Sequence, residues 1–192
     1  MSELMPYLRG EQTGKVVGIT FDDGYRNNLT EALPILKEFG FSATCYIISQ
    51  KIGGVNEWDL EKGIPENPLM DETEVRQWID RGMEIGSHTQ HHVRLTECDT
   101  QQAEMEITQS KQDLEQLFGS TIDHFCYPWG KHTTNIAQLT KQTKYQSATT
   151  TKRGRATQAH SLQHLPRVPV SHSTLPHLFL LKVLTAYEDR RG

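Results

Sequence analysis

Lys15-Val16-Val17-Gly18-Ile19-Thr20-Phe21-Asp22-Asp23-Gly24 runs from a branched, apolar segment straight into two adjacent carboxylates and a glycine. Lys15 to Phe21 has the composition of a buried strand, and the acids stand where it stops. Side chains alternate along a strand, but a turn at Gly24 can aim both acids at one cavity. Like charges at the end of a buried strand repel each other, so the pair calls for a cation or a proton between them. An ordinary Asp-Gly turn carries the same local signature, and only the rest of the chain can separate the two readings.

Outward from this stretch, strand and helix signals alternate. A helix pattern follows from about Asn28 to Phe39, with Leu29, Leu33, Leu36 and Phe39 near one face, Pro34 inside it and Gly40 as its stop. Residues 43 to 48 read as a buried strand. The loop from Ser49 to Pro68 carries paired glycines, two prolines and Trp58, and its length suits a binding face better than a plain connection. Asp71 and Glu74 form a capping-box signature for a helix to about Arg81. Met83 to Ser87 is a strand leading into His88-Thr89-Gln90-His91-His92. Asp99 or Thr100 then caps a long helix ending at Phe118-Gly119, with Met105, Leu114, Leu117 and Phe118 in its buried stripe. Thr121 to Tyr127 is a strand that stops at Pro128-Trp129-Gly130; a helix runs from Thr133 to about Lys141, and a strand covers Gln146 to Thr150. Leu165 to Val170 is the last strand and Leu175 to Arg190 the closing helix. Nearly continuous apolar strands alternating with helices predict an α/β fold with a parallel sheet covered by helices.

Bulk properties narrow the function classes. A chain of 192 residues fits one domain with a sizeable core. The net charge is -4, and no basic cluster is denser than Lys152-Arg153-Gly154-Arg155, which argues against nucleic acid as a partner. No apolar run has the length of a transmembrane segment. Met1 to Pro6 has neither the basic start nor the apolar stretch of a signal peptide, although a mature fragment of an exported protein would read the same way. Cys45, Cys98 and Cys126 are odd in number and widely spaced, and read as reduced thiols.

Asp22 and Asp23, His88 to His92, and Tyr127 to Gly130 each fall just after a strand's C-terminal end, which is the active-site rim of a (β/α) barrel. One Asp with two His, spaced as His88 and His92 or as His88 and His91, suits a divalent metal with three protein ligands and a position left for water. The second Asp is then free to act as a base, and the metal lowers the pKa of water towards about 7. The pattern points to metal-assisted hydrolysis. Zinc fits the ligand set best, while Co2+, Ni2+ and Fe2+ also accept two imidazoles and a carboxylate. Tyr127 and Trp129 can offer apolar faces to a sugar ring.

Thr20-Phe21-Asp22-Asp23-Gly24, His88-Thr89-x-x-His92-x-x-Leu95 and Phe125-x-x-Pro128-Trp129-Gly130 together resemble the first three motifs of the polysaccharide deacetylases, also called the NodB homology domain or carbohydrate esterase family four. The resemblance spans about Lys15 to Val170. It implies a distorted (β/α) barrel of about seven parallel strands and a polysaccharide or oligosaccharide substrate that loses N-acetyl, sometimes O-acetyl, groups. It also implies Asp22 as the catalytic base and Asp23, His88 and His92 as metal ligands, with His91 a neighbour. The wording around the motifs, including Leu165-Pro166-Arg167, is most similar to the branch acting on poly-N-acetylglucosamine exopolysaccharides. Where the wider family has an Arg that orients the base, this chain has Cys126, as the exopolysaccharide branch also lacks that Arg; Arg167 is the expected substitute. The family's general acid is a histidine, ahead of the acid pair in that branch, whereas the first histidine here is His88. Residues 1–192 are therefore expected to be a single deacetylase domain lacking a leading strand and helix, with His172 or His177 as the rival donors. Members are often exported; the chain itself leaves its compartment open. The competing readings are a catalytically silent carbohydrate-binding module and a hydrolase of another C–N bond.

Overall fold

The computed structural model describes residues 1–60 and 62–191. Its six strands are β1 (Ile19–Phe21), β2 (Ala43–Ile47), β3 (Glu84–Ser87), β4 (His124–Cys126), β5 (Ser147–Arg153) and β6 (Leu165–Arg167). They lie side by side in chain order, and every neighbouring pair is parallel. An order without reversal is that of a barrel rather than of a doubly wound sheet, and the sheet curls into a half-barrel. These six, among the described residues, are the strands read from the sequence; the resemblance implied about seven. The helices are α1 (Met5–Leu8), α2 (Leu33–Glu38), α3 (Glu57–Leu60), α4 (Glu72–Asp80), α5 (Thr100–Phe118), α6 (Thr134–Gln142) and α7 (Pro176–Leu184).

Local chemistry explains most boundaries. Asp71 and Glu74 form the reciprocal capping box that starts α4. Asp99 accepts from the Gln102 N–H at 2.8 Å to start α5, which ends at Gly119 in the left-handed conformation. β1 is shorter than its apolar run because its pairing begins at Ile19 opposite Ala43. Lys15 to Gly18 lie outside that ladder, and Val17 is 66% exposed. The expected helix from Asn28 opens as a π turn over Asn28–Ala32, in which the Leu33 N–H reaches back to the Asn28 carbonyl. Pro34 then falls in the first turn of α2, where its missing N–H costs nothing. β6 stops two residues before Pro169, and α7 ends at Leu184, where Thr185 turns extended.

The two faces of the curled sheet differ in character. Cys45, Ile47, Ile85, Phe125 and Ala148 point outward into the main core with Val75 and Trp78 of α4, Ile107 and Leu114 of α5 and Ile136 of α6. Alternation sends the intervening residues inward, and these are mostly polar: Thr20, Thr44, Glu84, His124, Ser147 and Arg167. Met105 is not in the buried stripe of α5, being 52% exposed; Leu114 and Phe118 are buried as expected, Leu117 partly so, and Ala103, Glu106, Ile107 and Ser110 complete the stripe. Gly86 of β3 leaves room for the Tyr46 ring, since a Cβ there would lie 2.6 Å from that ring.

Candidate active site

The acid pair sits at the C-terminal end of β1, and its two side chains act on different partners. Asp23 has φ 71°, so the turn begins one residue before Gly24 and breaks the strand alternation that would separate the carboxylates. Aspartate tolerates this left-handed backbone better than most residues. Asp22 is held by Arg167 in a two-pronged pair, with Nη1 and Nη2 each donating at 2.7 Å. Arg167 also donates through Nε to the Thr150 carbonyl at 2.9 Å and through Nη1 to Thr20 Oγ1 at 3.2 Å. β1 and β6 are opposite ends of the sheet, so this pair ties the half-barrel across its open side. Cys126 Sγ lies 3.3 Å from Nη2, and a side chain this small leaves the guanidinium its place. Burial pushes the Asp22 carboxyl up, but the charge and hydrogen bonds of Arg167 outweigh it and hold the group below the usual carboxylate value.

Asp23 faces the two histidines. Its Oδ1 lies 3.2 Å from His88 Nε2 and 3.3 Å from His92 Nε2. The three ligand atoms fall within 4.8 Å of one another. The spacing His88 to His92, rather than His88 to His91, is the one that converges: the His91 side chain is 48% exposed and its Nδ1 meets Glu106 Oε1 at 2.8 Å. His88 Nδ1 lies 2.7 Å from the Cys126 carbonyl, an oxygen that can only accept. With that nitrogen as the donor, Nε2 is the one that would offer a lone pair to a bound metal. Burial opposes ionisation of Asp23, yet hydrogen bonds from His88 and His92 hold its carboxyl far below the usual range. Burial also opposes a charge on His88, and the Cys126 side chain and Asp23 outweigh it, raising the imidazole. His92, where burial prevails, is lowered. The donor set of two imidazoles and a carboxylate, with ligand atoms within 4.8 Å of one another, fits a divalent cation.

Further residues shape the rim. The His92 ring lies between Trp58 of α3, at 4.2 Å between centroids, and Trp129, at 4.3 Å. Trp129 follows β4 with φ 53°, and the Arg94 guanidinium stands 4.7 Å from its ring. Thr89 and His92 also have positive φ, so strained backbone gathers around the ligands. Tyr127 corrects the expectation of a sugar-facing ring. It is fully buried, packed edge-on against Phe125 and stacked on His132, and its hydroxyl lies 3.0 Å from Thr140 Oγ1 and donates to the Gln163 carbonyl at 3.1 Å. His172 and His177 are exposed, in the loop before α7 and in its first turn.

Sequence reasoning placed Asp22, Asp23, His88, His92 and Arg167 in one site, and the structure brings these five together. It overlooked Glu106, a buried acid of α5 that accepts from the Gln90 N–H at 2.9 Å and the His91 N–H at 3.0 Å. Its signal was a charge at a position of α5 that shares a face with Ala103 and Ser110.

Comparison with known proteins agrees with this picture. The family model described as polysaccharide deacetylase matches residues 9–148. The Bacillus subtilis protein YxkH, which carries that family's name, is 31% identical over 157 residues, covering 82% of this chain and 52% of YxkH. The chain therefore spans about half the length of this curated relative. The Streptococcus pyogenes deacetylase PplD, solved with acetate, superposes with a TM-score of 0.81 at 24% identity over 95% of this chain and 77% of PplD. IcaB from Ammonifex degensii gives 0.74 at 20% identity, over 94% and 79%. At these identities both likenesses bear on the fold.

Proposed function

Because the chain belongs to the polysaccharide deacetylase family, we propose that it is a metal-dependent hydrolase that removes N-acetyl groups from a polysaccharide, with a poly-N-acetylglucosamine-like exopolysaccharide as its substrate. The observation that carries this reading is the side-by-side placement of a guanidinium-clamped carboxylate and a two-imidazole, one-carboxylate cluster. Asp23, His88 and His92 would hold the ion, with zinc the expected one. When bound, such an ion supplies a Lewis acid that acidifies a water and polarises the acetyl carbonyl. Asp22 serves as general base: Arg167 keeps it ionised and fixes both its oxygens, so it is ready to take the proton of the attacking water. A backbone N–H near Trp129 is the donor assigned to the developing oxyanion. The half-buried Trp129 is the aromatic residue assigned to contact the sugar ring. His172 and His177 are the candidates on this chain for protonating the leaving amine, and loss of turnover in His172→Ala would place the donor here. The exopolysaccharide branch is favoured by the arrangement at Cys126 and Arg167, in which the guanidinium comes from the last strand.

The test is acetate release from N-acetylglucosamine oligomers by metal-stripped protein before and after zinc is restored. Release that appears only with zinc is the expected result. Oligomer binding with no acetate under either condition would replace the enzyme by a sugar-binding module.

A further inference from the structure

The loop that carries both imidazoles cannot hold its shape through its own preferences. Thr89 and His92 are non-glycine residues with φ 67° and 58°, a left-handed backbone that persists only where the surroundings over-determine it. One side chain supplies three of the contacts that do so and, among the described residues, the only ones to the Gln90 and His91 N–H groups. Glu106, in the middle of α5 and 2% exposed, places Oε2 against two successive backbone N–H groups, those of Gln90 and His91. Successive N–H groups turned to one point make an anion-binding nest, and here the anion is built into the protein. Oε1 of the same carboxylate meets His91 Nδ1. Glu106 is thus buried against hydrogen-bond donors, all of them from the two residues between Thr89 and His92. The carbonyl side of the loop is tied by the Ser49 and Gln50 N–H groups, which donate to the Thr89 and Gln90 carbonyls at 3.1 and 3.0 Å; the Thr89 hydroxyl accepts from the His92 N–H at 3.0 Å, and Asp113 on the same helix as Glu106 accepts from the Gln90 side chain.

We infer that Glu106 is a positioning residue of the metal centre, setting the distance between His88 and His92 by anchoring the backbone that joins them. This rests on the reading of Asp23, His88 and His92 as metal ligands. It also gives α5 a role beyond packing: the helix delivers a charge to the back of a loop whose front presents the imidazoles. The surrounding core residues, Ile107 and Leu114, serve as the contrast, since they touch no loop N–H.

The experiment compares wild type with Glu106→Met, which fills the same volume without an acceptor, Glu106→Gln, which keeps one oxygen for the two N–H groups, and Leu114→Ala on the same helix. Two quantities are read well below each variant's melting temperature: zinc affinity by chelator competition, and hydrogen exchange of the Gln90 and His91 amides in metal-free protein. Glu106→Met is expected to lose about tenfold or more in zinc affinity and the protection of both amides, Glu106→Gln to recover most of each, and Leu114→Ala to lower the melting temperature with neither effect. Wild-type zinc affinity and amide protection in Glu106→Met, or an equal loss of affinity in Leu114→Ala, would overturn the inference. An Asp23→Asn control that binds zinc like wild type would instead refute the ligand reading. The exchange data then decide alone, unchanged exchange in Glu106→Met overturning the positioning role and faster exchange supporting it.

Discussion

Asp22 is a half-buried carboxylate held ionised chiefly by one guanidinium. Burial favours its protonated form and Arg167 reverses that preference, so removing Arg167 should raise the carboxyl above its ordinary value of about 4. For a base that must be ionised, the sign is fixed: the acidic limb of the kcat/KM profile of Arg167→Ala should move to higher pH. Turnover at neutral pH should fall by at least about a hundredfold. An unchanged acidic limb would mean that Arg167 does not set the state of Asp22. At this scale the sequence was informative because the residue types are local: two adjacent acids, a cluster of histidines and an Arg at a strand mark the site, while the choice of His92 over His91 and the division between the acids came from the resemblance to the deacetylase motifs. It misled at Tyr127, although the alternation was readable. Cys126 faces the barrel interior, so its successor must face outward, and the Tyr127 hydroxyl ends on Thr140 and Gln163.

Among the elements, β3 and α5 do most to build the site. β3 delivers His88 at its C-terminal end, and Gly86, two residues earlier, lets the Tyr46 ring cross the strand beneath it. A Cβ at Gly86 would meet that ring at 2.6 Å and the His124 carbonyl at 2.8 Å. Gly86→Ala should therefore destabilise the protein by about 1–3 kcal/mol through overpacking, read as a lower midpoint in urea unfolding. A midpoint equal to wild type would show that the interior yields at no cost. The caps of α4 and α5 were legible because capping chemistry lies within four residues of sequence. The π turn before α2 and the exposure of Met105 were not. Both are decided by what the helix packs against, and the buried face of α5 admits Glu106 and Ser110 because the loop and strand opposite supply their partners.

On the largest scale, the six parallel strands of the described residues lie in chain order and make a half-barrel with a mostly polar interior, and the Asp22–Arg167 pair links β1 to β6. The parallel, helix-covered architecture was legible from apolar runs alternating with helix patterns. The six strand positions were legible as well; the short β1 and β6 were not, because pairing depends on which neighbour a segment meets and not on its own composition. Convergence on the rim follows from the topology, which brings Asp22 and Arg167 together across 145 residues of chain. The division of labour between the adjacent acids is tested most directly by native mass spectrometry of the intact chain with zinc, comparing wild type, Asp22→Asn and Asp23→Asn. Asparagine is chosen because it tolerates the left-handed backbone at position 23. Wild type and Asp22→Asn should each carry one zinc ion, and Asp23→Asn should carry none; a full complement of zinc on Asp23→Asn, or its loss from Asp22→Asn alone, would contradict the assignment.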